Sequence, residues 1–412
     1  MQFRQHRLPN GLEIVAECNA KAYSAAFAFF VNTGARDETD EISGVSHFLE
    51  HMVFKGTPGR SAADVNRELD EIGSHANAYT SEEHTVYYAA VLPELQTRAV
   101  DLLADILRPS LREEDFNVEK QVILEEIAKY DDQPPFGASE KCMAAHFRTH
   151  PLHRSVLGTV DTVGKLTPGQ MRRYFDQRYS PANIKLAAAG NVDFEQLIRD
   201  AEQRCGHWQP YDVSRQTPRA TRNSDFQTVT RESSQQEYVV QIANGPAAED
   251  EDRFASRILS TVLGDESGSR LFWELIDTGL AEYVTTDVSE YQGTGAFVTL
   301  LCCSPEEAQQ NLQRIHDLQV EMQEHGISEA ELTRAKSKIC AHVVLQSERP
   351  ANRLFSVGSN WLQRREYRTI REMVDAYQKV TAADVAEVLE KYPLTACTTV
   401  AIGPLPSLSP PS

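Results

Sequence analysis

Apolar residues recur with two periods along the chain, and each change of period marks an element. Between Ser43 and Lys55, the residues Val45, Phe48, Leu49, Met52 and Val53 fall at i, i+3, i+4, i+7 and i+8. That spacing gives a helix one apolar face, and Gly56 follows as its stop. Upstream, extended runs flank Leu8-Pro-Asn10-Gly11-Leu12, which predicts a hairpin turning on Asn10-Gly11. Ala25 to Asn32 reads as a strand ending before Gly34. Helical spacing returns at Met171, Tyr174 and Phe175, and again at Val385, Val388 and Leu389. Each of these helices leads through a turn to an apolar strand closing in glycine, Ile184 to Gly190 and Cys397 to Gly403. Two long charged helices are also expected. Arg112 to Asp132 runs up to Pro134-Pro135, and Glu329 to Glu348 runs up to Pro350.

These pairs of elements read as a duplication. Val160-Asp-Thr-Val-Gly-Lys-Leu-Thr167 and Val374-Asp-Ala-Tyr-Gln-Lys-Val-Thr381 share Val, Asp, Lys and Thr at a constant offset of 214 residues. The expected fold is α+β: two similar domains, each a largely antiparallel sheet packed with helices. Residues 1–207 form the first domain, 208–223 a linker and 224–412 the second domain. The linker follows from Pro210, Pro218 and a polar run without periodicity. The tail from Pro404 to Ser412, rich in Pro and Ser, is expected to fray.

Composition narrows the function. The 412 residues carry 41% hydrophobic and 25% charged residues, which excludes wholesale disorder. A net charge of −19 argues against a general nucleic-acid binder and against anionic lipid. The most apolar stretch, Tyr23 to Val31, is far short of the roughly 18 residues of a membrane span. The N-terminus shows no apolar signal core, so a cytoplasmic location is expected. Seven cysteines without CxxC spacing read as reduced thiols rather than a disulfide framework.

The candidate chemistry lies on the first amphipathic helix, in His47-Phe-Leu-Glu50-His51. Histidines four apart project from one helix face within reach of one ion. Glu50, at the edge of that face, is placed to take a proton without being a ligand. A catalytic zinc site needs a third protein ligand and an open position. The helix Arg112 to Asp132 offers Glu119 and Glu126, seven apart on one face, with Glu125 about 100° away. In that reading Glu126 binds the ion and Glu119 orients a ligand by a hydrogen bond. A pair of solvated histidines and a solvated acidic helix face satisfy the same spacings.

The flanking segments change the balance. Gly44-Val-Ser-His47-Phe-Leu-Glu50-His51-Met-Val-Phe-Lys-Gly-Thr57 resembles the signature of the pitrilysin-type zinc metallopeptidases, whose motif is the inverted His-x-x-Glu-His. The likeness is to the two-domain branch that includes the mitochondrial processing peptidase β-subunit and its bacterial relatives. Asn77-Ala78-Tyr79-Thr80-Ser81, Thr85-Val-Tyr87-Tyr88, Val122-Ile-Leu-Glu-Glu126-Ile127, Gly190-Asn191-Val192 and Ser269-Arg270-Leu271-Phe272 extend it along essentially the whole chain. Glu126 lies 75 residues after His51, which fits the family spacing.

The resemblance implies a zinc-dependent endopeptidase acting on peptides or unfolded segments in an enclosed chamber. One Zn²⁺ per chain would be held by His47, His51 and Glu126. Glu50 would be the general base, and Glu119 would orient a metal ligand by a hydrogen bond. Asn77, Ala78 and Tyr79 would lie on a substrate-binding edge strand that adds the peptide as a further strand.

One segment departs from the family. Its Arg and Tyr on an Arg-Glu-Lys-Arg-Gly-Leu-Ala-Tyr-like stretch fall here on Leu275 and Glu282, with Tyr283 one residue late and Arg270 upstream. In the second half the position of His47 falls on Thr261. A dimer is therefore expected, a heterodimer with a zinc-less homologue that supplies Arg and Tyr being preferred to a homodimer. A non-catalytic scaffold, a role that some relatives serve, is the rival class. The intact His47, Glu50, His51 and Glu126 disfavour it.

Overall fold

The turn expected at Asn10-Gly11 forms. Gly11 sits at φ +91°, and its N–H donates to Leu8 O while Leu8 N–H donates to Leu12 O. That closes an antiparallel hairpin with Arg7 opposite Glu13. A computed structural model describes all residues, Met1–Ser412. Its strands in chain order are β1 (Gln2–Arg7), β2 (Glu13–Cys18), β3 (Ala25–Val31), β4 (His75–Thr80), β5 (Thr85–Val91), β6 (Ile184–Gly190), β7 (Phe226–Thr230), β8 (Glu237–Gly245), β9 (Tyr283–Tyr291), β10 (Thr294–Cys303) and β11 (Cys397–Gly403). The helices of the first half are α1 (Val45–Val53), α2 (Ala62–Glu71), α3 (Gln96–Ile106), α4 (Glu113–Asp132), α5 (Ala138–Phe147), α6 (Val160–Lys165), α7 (Pro168–Arg178) and α8 (Phe194–Cys205). Those of the second half are α9 (Arg253–Gly264), α10 (Pro305–His325), α11 (Glu329–Ser347), α12 (Pro350–Arg364), α13 (Ile370–Lys379) and α14 (Ala382–Lys391).

The chain forms two compact units that interleave in sequence. One comprises Met1–Ala128, Arg154–Gln216 and Leu345–Arg368; the other comprises Lys129–His153, Thr217–Val344 and Thr369–Ser412. The first unit holds a sheet in the order β1-β2-β6-β3-β5-β4, the second a sheet in the order β7-β11-β8-β10-β9. Both are mixed and mostly antiparallel: only β2–β6 and β7–β11 run parallel.

In the first unit every residue of β3 is buried, because both faces of the strand are covered. Phe27, Phe29 and Val31 join the main core with Phe48 and Leu49 of α1. Ala26, Ala28 and Phe30 join a second layer with Leu354, Val357 and Leu362 of α12. Thus a helix from late in the chain covers the back of the first sheet. Gly358 makes the close approach possible, since a Cβ there would lie 2.2 Å from Cε2 of Phe30. The helix is also fastened by charge. Arg353 donates from Nε and Nη2 to the Glu17 carboxylate on β2 at 2.6 to 2.9 Å, and Tyr367 Oη donates to the same group at 2.7 Å.

The side chains of Arg353 and Glu17 are 6% and 3% exposed. Breaking a buried pair from one side costs about 3–5 kcal/mol because the remaining charge is left uncompensated. Arg353→Met should therefore lower unfolding stability by about that much in urea titration. Adding Glu17→Gln should recover a large part of the loss; no recovery in the double variant would mean that α12 is held by apolar packing alone.

The second unit uses the same device with a helix from the first half. Phe136, Cys142 and Phe147, in and beside α5, pack on Val240, Ile242, Val400 and Ile402. His146 bridges Asn244 Oδ1 and Thr398 Oγ1 through its two ring nitrogens. All seven cysteines are free.

The stretch read as a linker is packed, and the tail expected to fray is fixed. In the proline-containing stretch after α8, Trp208 is buried beneath the Arg108 guanidinium, 3.6 Å from its ring centroid, and Arg215 Nε donates to Asp37 Oδ1. The tail does not fray. Leu405 and Leu408 pack on the second unit's core, and Gln309 and Gln313 of α10 bond the backbone of Ser409 and Ser412. Two leucines within a Pro/Ser stretch thus outweigh its composition.

Candidate metal centre

Helix α1 starts where the sequence permits no other residue. Gly44 has φ +93°, and a Cβ on it would lie 2.6 Å from Leu157 O. Gly44 offers no side chain to cap the helix, so a preceding residue does it. The buried Glu38 carboxylate accepts from Gly44 N–H and Ser46 N–H, both at 2.7 Å. Burial pushes the Glu38 carboxyl up to about 8, an effect that these donors offset in part. Ser46 and Tyr174 hydroxyls meet at 2.6 Å on the same turn. Val45, Phe48, Leu49, Met52 and Val53 are all buried, so the apolar face read from the sequence seats the helix and turns His47 and His51 toward α4.

Glu126 of α4 completes the cluster. Its Oε2 is 3.9 Å from His47 Nε2 and 3.6 Å from His51 Nε2. One ligand atom from each of the three residues lies within 4.8 Å of the others, and the chain has no second such cluster. These separations are too long for hydrogen bonds. They are close to the roughly 3.4 Å edge of a tetrahedron around an ion bound at 2.0–2.1 Å. Two imidazole nitrogens and one carboxylate oxygen, with a fourth position left open, are the donor set of a catalytic zinc site. The residues present therefore fit a zinc ion.

The surroundings hold these donors in the right state. His51 Nδ1 is 2.8 Å from Glu119 Oε1. A proton on Nδ1 directed at that carboxylate leaves the Nε2 lone pair facing the cluster. Lys55 Nζ balances Glu119 at 2.5 Å from Oε2. Burial, with His51 as a second cause, lowers His47 to about 4, so its ring is neutral at pH 7. His47 Nδ1 is buried without a protein partner. Glu125 is exposed and takes no part.

Glu50 is half-buried beside the cluster. Burial raises its pKa, opposed by a hydrogen bond from Thr80, and the charges of His51 and Glu126 act in opposite senses. Thr80 Oγ1 donates to Glu50 Oε2 at 2.7 Å. In the sequence Thr80 stands within the Asn77–Ser81 segment of the resemblance, with no role assigned to it. The signal is the alternation of β4, which puts Thr80 on the same face as Ala78.

Strand β4 lies at the edge of its sheet, paired only with β5. Ala78 faces the α1 side and joins that core. Asn77 and Tyr79 alternate to the other face, where Tyr79 packs near Phe355, 6.0 Å between ring centroids. The side chain of Tyr79 therefore points away from the metal cluster. On the free edge, Ala78 N–H donates to Asn77 Oδ1 at 2.9 Å.

The second unit carries no counterpart of the cluster. Thr261, at the position of His47, donates its hydroxyl to Arg257 O within α9. Asp265, at the position of His51, holds Lys338 Nζ at 2.5 Å. Leu275 is fully buried in the core, Glu282 is exposed, and Tyr283 is 44% exposed on β9. Arg270 is forked onto Glu331 at 2.8 and 3.1 Å, an internal ion pair.

Comparison with known proteins agrees with this picture. Residues 13–160 match the family model described as Insulinase (Peptidase family M16), and residues 165–339 match the model described as Peptidase M16 inactive domain. An uncharacterized zinc protease of Streptomyces coelicolor is 35% identical over 93% of this chain and 86% of its own length. One from Mycobacterium tuberculosis is 34% identical over 93% and 89%, and YmxG of Bacillus subtilis is 30% identical over 92% of each. Among solved structures, a protease from Helicobacter pylori superposes with TM-score 0.91 at 22% identity, covering 98% of this chain and 99% of that one. A peptidase M16 inactive domain from Pseudomonas fluorescens also reaches 0.91, at 17% identity over the full length of both. The two structures speak for the fold, the curated relatives for descent. With both domain models matched in order along one chain, and relatives above 30% identity over nearly its whole length, the chain belongs to peptidase family M16.

Proposed function

We propose that this chain is a zinc-dependent endopeptidase that hydrolyses peptides or unfolded segments within an enclosed chamber. The observation that carries the reading is the convergence of His47, His51 and Glu126 with the Glu50 carboxylate alongside. The curated relatives' names, which call them zinc proteases, support it. His47, His51 and Glu126 would hold one zinc ion per chain, and Glu119 fixes the His51 ring. Bound there, zinc would supply Lewis acidity and bring the pKa of water down to roughly 7.

The remaining steps belong to the chain's own residues. The free edge of β4, at Asn77, Ala78 and Tyr79, takes the peptide backbone as an added strand. Asn77 Oδ1 must first leave the Ala78 N–H. Thr80 holds Glu50 Oε2, which leaves Oε1 to accept the proton of the attacking water. Glu50 then returns that proton to the departing amine. No covalent intermediate is needed.

Leu275 and Glu282 favour one refinement. A buried leucine and an exposed carboxylate cannot supply the Arg and Tyr that many family members carry there. The chain then acts as the zinc-bearing subunit of a heterodimer whose partner provides them. The decisive experiment is hydrolysis of a mixed quenched-peptide set by the purified chain alone, with metal content measured in parallel. Cleavage that a chelator removes and one equivalent of Zn²⁺ restores is the expected result. Cleavage unaffected by chelation would overturn the zinc reading. A folded chain that binds one zinc yet cleaves nothing would assign it to the heterodimer.

A further inference from the structure

The groove that gathers the metal donors in the first unit has a counterpart in the second, and its chemistry is reversed. Moving α4 along the chain by the offset of the repeat brings it onto α11, and the same offset brings His47 onto Thr261 of α9. Between α9 and α11 lies a cleft of about 60 Å³, room for several water-sized groups. The first groove collects imidazoles and carboxylates. This one is lined by Arg270, Arg334 and Lys338, with Glu331 as its acidic residue. All of them belong to the second unit.

The charges do not cancel. Glu331 is taken up by the fork from Arg270 Nε and Nη2 at 2.8 and 3.1 Å, and by the N–H and hydroxyl of Ser328, both at 2.8 Å. Lys338 Nζ is held by Asp265 at 2.5 Å. Arg334 is exposed on α11 and has no carboxylate partner. Arg270 Nη1 is buried and bonds nothing in the protein, and a buried donor left unmet is costly. One full positive charge and one guanidinium nitrogen are therefore left over at this cleft, in a chain whose net charge is −19. Guanidinium groups pair best with planar carboxylates, by charge-assisted hydrogen bonds. Glu331 in the lining opposes a dianion more than a monoanion, which favours a carboxylate over a phosphate. Val262 and the Trp273 ring, 57% exposed, give the same cleft an apolar wall.

We propose that the cleft between α9 and α11 binds a carboxylate, received by Arg334 and Arg270, with the carbon framework behind it resting on Trp273. The site lies wholly in the second unit and does not depend on the peptidase reading above. The test is calorimetric titration of the zinc-loaded chain with acetyl-phenylalanine, its amide, succinate and inorganic phosphate.

Acetyl-phenylalanine should bind once per chain, and its amide about tenfold or more weaker, the scale of a hydrogen-bonded charge. Arg334→Ser and Arg270→Met should each weaken the acid by about tenfold while leaving the amide unchanged. Lys165→Ser, at an exposed cation of the first unit, should change neither. Should Arg270→Met fail to fold because Glu331 is stranded, Arg270→Met with Glu331→Gln removes both charges together. Tighter binding of acetyl-phenylalanine than of succinate makes a peptide terminus the source of the carboxylate; the reverse order makes it a free dicarboxylic acid. Binding should also alter tryptophan emission, and Trp273→Phe should remove that change. Phosphate binding as tightly as either acid overturns the carboxylate assignment. A preference for the acid that survives both arginine variants overturns the cleft. So does one that is lost on removing zinc, which would put the probe on the metal, or an emission change that persists in Trp273→Phe.

Discussion

Glu50→Gln should lower kcat/KM for any cleaved peptide by about 10²–10⁴-fold, the range of a lost general base, while zinc content stays at the native level. The amide keeps the size of the side chain and its contact with Thr80 Oγ1, which sits 2.7 Å from Oε2 in the native protein. It cannot accept and hold a proton from water. Glu50 does not belong to the donor cluster, so the loss should be one of turnover with binding retained. Metal analysis and peptide binding on the same sample check this. A fall of less than about tenfold would mean that the proton goes elsewhere and that Glu50 is a bystander beside the ion.

The two carboxylates of α4 should separate by degree. Glu126→Gln removes one of three donors and should abolish stoichiometric zinc retention, and activity with it. Glu119→Gln leaves the donors in place and disturbs only the 2.8 Å contact that orients His51. Such supporting contacts are worth about 10–100-fold in metal affinity, and Glu119→Gln should lose zinc by that factor in competition with a chelator. The exposed Glu125 is the internal control: Glu125→Gln should change neither quantity. If Glu119→Gln weakens zinc more than Glu126→Gln, the assigned roles of the two carboxylates are reversed.

Much of the site was legible because its parts are local. The apolar spacing of α1 fixes which face is buried, and the histidines four apart follow from it by helix geometry alone. The seven-residue separation of Glu119 and Glu126 put them on one face in the same way, and excluded Glu125. What local pattern cannot contain is which helix faces which. That α4 meets α1 depends on Phe116 of α4 stacking on Phe48 of α1, 4.6 Å between ring centroids, over a separation of 75 residues between His51 and Glu126. At that separation the sequence supplied only likeness to relatives.

Other features were decided by tertiary contact alone. Thr80 joins the site because β4 is an edge strand running beside α1. The tail is held by leucines and glutamines that lie far apart in sequence. The sequence places α12 in the second half and α5 in the first, yet each covers the sheet built from the other half. By itself, then, the sequence determined the elements, their buried faces and the shared face of the two histidines, because periodicity and spacing act between near neighbours. The pairing of the helices, the partners of Glu50 and the exchange of α5 and α12 were decided only in the folded molecule, where burial of both faces of each sheet selects among contacts the chain leaves open.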